Sequence, residues 1–93
     1  MTDQKLYTPQ KVAARIIAAR EYLGLNQKEF AKETGISPQQ MNDWEAGRAR
    51  MSLQGALKIY ERFGVDPNWF FLNKVDTLPH NMATALSSSP SAK

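Results

Sequence analysis

Cysteine is absent from this 93-residue chain, and histidine occurs once, at His80. The lack of cysteine excludes disulfides, thiolate nucleophiles and cysteine zinc sites, and it is compatible with a reducing cytosol. No apolar run approaches the roughly 20 residues that span a bilayer, and the polar start MTDQKLYTPQ lacks the apolar segment of a secretory signal. We therefore expect a cytoplasmic protein with no membrane partner, no metal and no cofactor.

The pattern of a catalytic site is missing as well. There is no phosphate-binding glycine loop, and His80 lies beside Pro79 without neighbouring residues that could share a metal or a proton. Glu29 and Glu33 share one helical face, which is more typical of a solvated surface than of an acid–base pair. We expect no enzymatic activity and no small-molecule substrate. The formal net charge of +3 and the pI of about 9.4 are compatible with a polyanionic partner.

Helix-start signals followed by apolar residues at helical spacing predict five helices and no strand. The five predicted caps are Thr8, Asn26, Ser37, Ser52 and Asp66. Four glycines end the predicted helices, at Gly24, Gly35, Gly47 and Gly64. On the fourth helix the residues predicted to face inward are Leu53, Ala56, Leu57, Tyr60 and Phe63.

These elements predict an all-α fold, a compact five-helix domain over residues 8–74. Residues 1–7 are interpreted as an N-terminal arm. Residues 77–93 contain several serines and prolines and few residues that could form a core, so they predict a flexible tail, with Met82, Ala83 and Leu86 able to form a short helical turn.

The second and third predicted helices are joined by an unusually short turn. Such a turn forces two helices to cross steeply, as they do in a helix-turn-helix, which we place at residues 27–45. Ala31 is small enough for the close approach, and Gly35 can adopt the positive φ of the turn. Met41 and Trp44 share one face of the third helix and are expected to anchor it to the core.

The opposite face of the third helix predicts base reading. It carries Gln39, Gln40, Asn42 and Asp43. Glutamine and asparagine can pair bidentately with adenine, and the N-terminal end of such a helix usually enters the major groove. Asp43 could accept from a cytosine amine or lie at the edge of the interface, and we favour the edge.

A second set of residues is predicted to bind phosphates of the DNA backbone. The N-terminus of the second helix offers unpaired N–H groups and the positive end of a helix dipole, and two arginines follow Gly47. The predicted phosphate-binding residues are Asn26, Gln27, Lys28, Ser37, Arg48 and Arg50.

From about Val12 to Leu72 the chain resembles the lambda-repressor and Cro-like helix-turn-helix family, also called the Xre family. The resemblance is carried by Arg20, the run 24–31, Gly35-Ile36-Ser37, the run 44–48, Ser52-Leu53, Ala56-Leu57, Gly64-Val65 and Trp69-Phe70. It implies a five-helix bundle that binds operator DNA as a homodimer.

The same resemblance implies roles for single residues. Gln27 would hydrogen-bond a phosphate, and Arg20 would pair with Glu45 inside the domain. Pro38 departs from the family pattern, because many relatives carry a base- or phosphate-reading side chain there. Sequence reading would then depend on the later positions of the helix.

Two functions remain open. The first is a sequence-specific transcriptional regulator, a repressor more than an activator, that binds double-stranded DNA. The second is a protein-interaction module, antitoxin-like or an adaptor, that has the helix-turn-helix shape but binds DNA weakly or without specificity. For either, Trp69 is expected in the core, and Phe71 and Leu72 are the candidates for a dimer contact.

Overall fold

The computed structural model describes residues 8–87, and these contain helices and turns but no strand. The elements in order are α1 (Pro9–Tyr22), α2 (Gln27–Thr34), α3 (Pro38–Glu45), α4 (Leu53–Phe63), α5 (Pro67–Leu72), a 3-10 turn (Val75–Thr77) and α6 (His80–Ser87). Within this part of the chain, none of the helices has both the length and the apolar character needed to cross a membrane.

The first five helices begin where the sequence predicts. Each N-cap side chain accepts a hydrogen bond from a backbone N–H in the first turn, which satisfies a donor that has no partner inside the helix. These caps are Thr8, Asn26, Ser37, Ser52 and Asp66. At α2 the cap is reciprocal, because Glu29 accepts from the backbone N–H of Asn26 at 2.8 Å while its own N–H donates to the Asn26 side chain.

The turn between α2 and α3 consists of Gly35, Ile36 and Ser37. Gly35 has φ +74°, a backbone conformation that is strained for residues with a side chain. The N–H of Ile36 donates to the carbonyl of Ala31 at 3.1 Å, and the Ile36 side chain is buried beneath the turn. The predicted tight connection is confirmed, and it holds α3 directly against α2.

The core lies around α1, which packs against α3, α5 and α6. Its largest fully buried side chains are Trp69, Phe30, Phe70, Ile16, Met41 and Ile59. The ring centroids of Phe30 and Phe63 are 5.8 Å apart, which joins α2 to α4. Trp69 is in the core, as predicted.

Residues 80–87 differ from the prediction. The flexible tail expected from residue 77 is wrong here, because His80–Ser87 form a sixth helix that packs on α1. Leu78, Met82 and Leu86 recur at a spacing of four residues, and all three are buried. The packed part of the chain therefore extends beyond the predicted domain of residues 8–74. The predicted arm 1–7 and residues 88–93 of the predicted tail lie outside the described residues.

The inward face of α4 also differs from the prediction. Leu53, Leu57 and Tyr60 are exposed. The buried residues of α4 are instead Gly55, Ala56 and Ile59, with Phe63 partly buried. The difference arises because the Trp44 ring packs onto the bare backbone of Gly55, and this contact turns the Gly55 side of α4 towards the core.

Candidate nucleic-acid interface

The recognition-helix candidate α3 is fixed to the domain by one face. Met41 and Trp44 are buried on that face. Gln39, Gln40 and Asn42 are exposed on the other, and Asp43 is partly exposed. The short polar side chains thus form a surface that a base edge could approach.

A bidentate ion pair holds the C-terminal end of α3. Arg20 on α1 donates from Nε to Oε2 of Glu45 at 2.9 Å and from Nη2 to Oε1 at 3.1 Å. The Glu45 side chain is only 4% exposed and that of Arg20 18%. Arg20 also donates to the carbonyl of Leu25 at 3.1 Å. The pair implied by the family resemblance is therefore present, and it connects α1, the start of α2 and α3.

Gln27, at the first position of α2, extends this network towards the exposed face of α3. Its Nε2 donates to Glu45 Oε1 at 3.0 Å, and its Oε1 accepts from Asn42 Nδ2 at 3.1 Å. A glutamine amide has two N–H donors, so one remains for a phosphate. Gln27 thus serves first as a bridge between the ion pair and Asn42, a role that the sequence analysis did not predict.

Arg48 folds back onto α3. Its Nη2 donates to Oδ1 of Asn42. Its Nε and Nη2 each lie 3.1 Å from Oδ1 of Asp43, and that oxygen also accepts from Gln39 Nε2 at 3.1 Å. The backbone N–H of Arg48 donates to the carbonyl of Asp43 at 2.9 Å. Asp43 is therefore already paired with a cation and an amide of its own chain, which fits the edge position better than cytosine reading.

Gln40 differs from its neighbours on the exposed face. Its backbone N–H donates to the cap Ser37 at 3.1 Å. Among the exposed amides of α3 in residues 8–87, it is the one whose side chain makes no hydrogen bond to the protein. Both of its polar ends are thus available to a ligand.

Apart from Gln27, whose amide forms the bridge described above, the predicted phosphate-binding residues fall into two groups. Asn26 and Ser37 use a side-chain oxygen to cap α2 and α3. Lys28, Arg48 and Arg50 are exposed. The carboxylate of Glu29 lies at the N-terminus of α2 and reduces its attraction for an anion. The exposed cations are therefore better placed for phosphate binding than the caps.

The dimer-contact candidates Phe71 and Leu72 are both partly buried. Phe71 packs against the core beside Val12 and Met51, so part of its ring is used in core packing. Their role between two copies stays a prediction.

Arg15 is a buried cation that the sequence analysis missed. Its Nη1 donates to the carbonyl of Phe70 at 2.9 Å, which ties α1 to α5. Burial lowers the pKa of the Arg15 guanidinium from its ordinary value. Its position among the alanines and isoleucines of α1 gave a signal, since it interrupts the apolar face between Val12 and Ile16.

Comparison with known proteins assigns this arrangement to a family. A family model described as a helix-turn-helix domain matches residues 13–75, which run from α1 through the first residue of the 3-10 turn. No curated protein and no solved structure gives a significant match.

Proposed function

The chain belongs to the helix-turn-helix domain family, and from this premise we propose that it is a sequence-specific, DNA-binding transcriptional regulator of the Xre, lambda-repressor-like type. The observation that supports the proposal best is the exposed amide face of α3, held in place by the buried pair of Arg20 and Glu45. A fixed helix positions base-reading groups without an ordering cost at binding.

Gln40 is the principal base reader in this proposal. Its side chain is exposed and uncommitted, and an amide can pair bidentately with N6 and N7 of adenine, for about 1–3 kcal/mol of discrimination. Asn42 and Gln39 are secondary readers, because each already makes a hydrogen bond within the protein. Asp43 lies at the edge, where its ion pair holds Arg48 against α3.

Phosphate contacts would come from both sides of α3. Lys28 and the spare N–H of Gln27 lie at the start of α2, and Arg48 and Arg50 lie in the loop after α3. Such contacts set the register of the protein on the duplex, and each neutralised phosphate changes the slope of log affinity against log salt by about −0.9.

A repressor acting as a homodimer is the simplest form of this function. One α3 of eight residues covers a single half-site, and a two-fold pair reads two half-sites about one helical turn apart. Bound at a promoter, such a pair blocks polymerase without any further surface. The proposal involves no catalytic step, cofactor or small-molecule substrate, and it places the protein in the cytoplasm with the DNA it regulates.

Selection of bound duplexes from a random library tests the proposal directly. We expect the full chain to enrich one sequence, with adenine prominent in each half-site. Gln40→Ala should lose preference at one position, whereas Gln54→Ala, an exposed amide on α4, should select the same sequence as the unmutated chain. Failure of the unmutated chain to enrich any sequence would refute the proposal.

The second candidate, a protein-interaction module, is favoured by one observation. Leu53, Leu57 and Tyr60 expose apolar surface that the fold does not use. This candidate predicts no sequence enrichment in the same selection, so the one experiment separates the two functions.

A further inference from the structure

Pro38 is an exposed apolar residue at the first position of α3. The other apolar side chains of this helix, Met41 and Trp44, are buried. We propose that the Pro38 ring contacts the C5 methyl group of a pyrimidine in the major groove, so that the protein reads a thymine there and also accepts a 5-methylcytosine. This inference rests on the proposed function and adds a specificity-determining residue to it.

The position of Pro38 in α3 favours contact with a base edge. The N-terminal end of a recognition helix is the part that usually enters the major groove. Pro38 lies four residues before Asn42, so the two side chains are neighbours on the helix surface, and both are exposed. Asn42 in turn donates to Gln27 at the start of α2 at 3.1 Å. The ring therefore lies beside an amide of the predicted base-reading face.

The chemistry of the Pro38 ring limits what it can contact. A proline side chain has no hydrogen-bond donor or acceptor, and the residue also lacks a backbone N–H. A phosphate oxygen or a polar base edge therefore finds no partner on it. The C5 methyl group of thymine is the apolar group that the bases present in the major groove. Cytosine presents the same group at the same atom once it is methylated at C5.

The local structure fixes the ring before DNA binds. Ser37 caps α3 by accepting from the backbone N–H of Gln40 at 3.1 Å, and Pro38 starts the helix with the φ that its ring imposes. A proline side chain loses almost no rotamer entropy on burial. The gain from covering one methyl group should therefore appear as affinity, and burial of a group of that size corresponds to about fourfold.

Replacement of single thymines by deoxyuridine removes only the C5 methyl group and provides the first test. Each thymine of the selected half-site is replaced in turn, and fluorescence anisotropy at fixed salt gives the Kd. We expect one position at which the unmutated chain loses about fourfold in affinity. At that position Pro38→Ser should bind the thymine and deoxyuridine duplexes equally.

The matched control is Pro67→Ser, which makes the same change at the first position of α5. This variant should keep the difference between thymine and deoxyuridine. Partial unfolding of a variant would weaken its binding to both duplexes by the same factor and leave their ratio unchanged. A ratio of one in Pro38→Ser would therefore report the lost contact and not a loss of folded protein.

Methylated cytosine provides the second test. At the responsive position the thymine–adenine pair is exchanged for cytosine–guanine, with and without a C5 methyl group on the cytosine. We expect the unmutated chain to bind the methylated duplex about fourfold more tightly and Pro38→Ser to bind both alike. Equal affinity of the unmutated chain for the two cytosine duplexes would overturn the methyl contact, because thymine would then be read through its O4.

The outcomes separate this inference from the function on which it rests. If the unmutated chain enriches a sequence but no thymine responds to deoxyuridine, the methyl contact is wrong and the proposed function stands. If a thymine responds equally in Pro38→Ser, a different residue reads the methyl group and the assignment to Pro38 is wrong. If no sequence is enriched, both proposals are refuted.

Discussion

Gly55 on α4 is in contact with Trp44 of the recognition-helix candidate α3. We predict that Gly55→Ala destabilises the fold, although alanine has a higher helix propensity than glycine. An ideal Cβ at this position would lie 2.3 Å from Cη2 and 2.9 Å from Cζ3 of Trp44, and 3.1 Å from Oγ of Ser52. The first two distances are shorter than Cβ contacts in proteins. Trp44 is buried, so its ring cannot move aside without disturbing the packing of α3.

The magnitude follows from two opposing effects. Alanine is favoured over glycine inside a helix by about 1 kcal/mol. Overpacking a well-filled core costs about 1–3 kcal/mol, and we take the upper part of this range, about 2–3 kcal/mol, because two ring carbons must yield. We expect Gly55→Ala to lower the free energy of unfolding by about 1–2 kcal/mol, which corresponds to a fall in Tm of roughly 4–16 °C for a domain of this size.

Urea and thermal denaturation followed by circular dichroism measure this loss. Gly35→Ala is the control, because its Cβ meets nothing within 4 Å and its cost comes from the positive φ alone. Trp44→Phe removes the outer ring atoms, so it should reduce the cost of Gly55→Ala in a double-mutant cycle but not that of Gly35→Ala. A rise in Tm for Gly55→Ala in the unmutated background would refute this packing argument.

Two further predictions concern the polar network beneath α3. Glu45→Gln leaves the partly buried Arg20 without its counter-charge, so urea denaturation should show a loss of about 1–3 kcal/mol, and an unchanged midpoint would contradict the buried pair. Asp43→Asn removes an exposed ion pair worth less than about 1 kcal/mol but releases Arg48 for phosphate. Fluorescence anisotropy should then show tighter binding to random duplexes and a steeper salt dependence, and weaker binding would indicate that Asp43 contacts the DNA.

Local chemistry explains how much of the fold could be predicted. A capping residue such as Ser37 fixes where a helix begins through contacts within one turn, and each of the five predicted caps is followed by a helix. The helix α6 has no comparable start signal. Its residues Met82 and Leu86 are buried where α6 packs on α1, and because α1 is distant in the chain, the local sequence pattern predicted a tail.

The candidate site could be predicted only in part, for a similar reason. The exposed amides of α3 follow from helical spacing once Met41 and Trp44 are taken as core. The bridge from Glu45 through Gln27 to Asn42 joins residues 15 and 18 positions apart in the chain. The ion pair between Arg48 and Asp43 depends on the path of the loop that follows α3. Neither contact follows from helical periodicity, and both determine which exposed amide of α3 makes no hydrogen bond within the protein.

Salt-titrated binding of the full chain to its best selected duplex and to a scrambled duplex of the same length is the most direct test. We expect the selected duplex to bind at least about 10³-fold more tightly than the scrambled duplex at physiological salt. The ratio should persist as salt weakens both complexes, and it should fall in Gln40→Ala. Equal affinities for the two duplexes at every salt concentration would contradict sequence reading by α3.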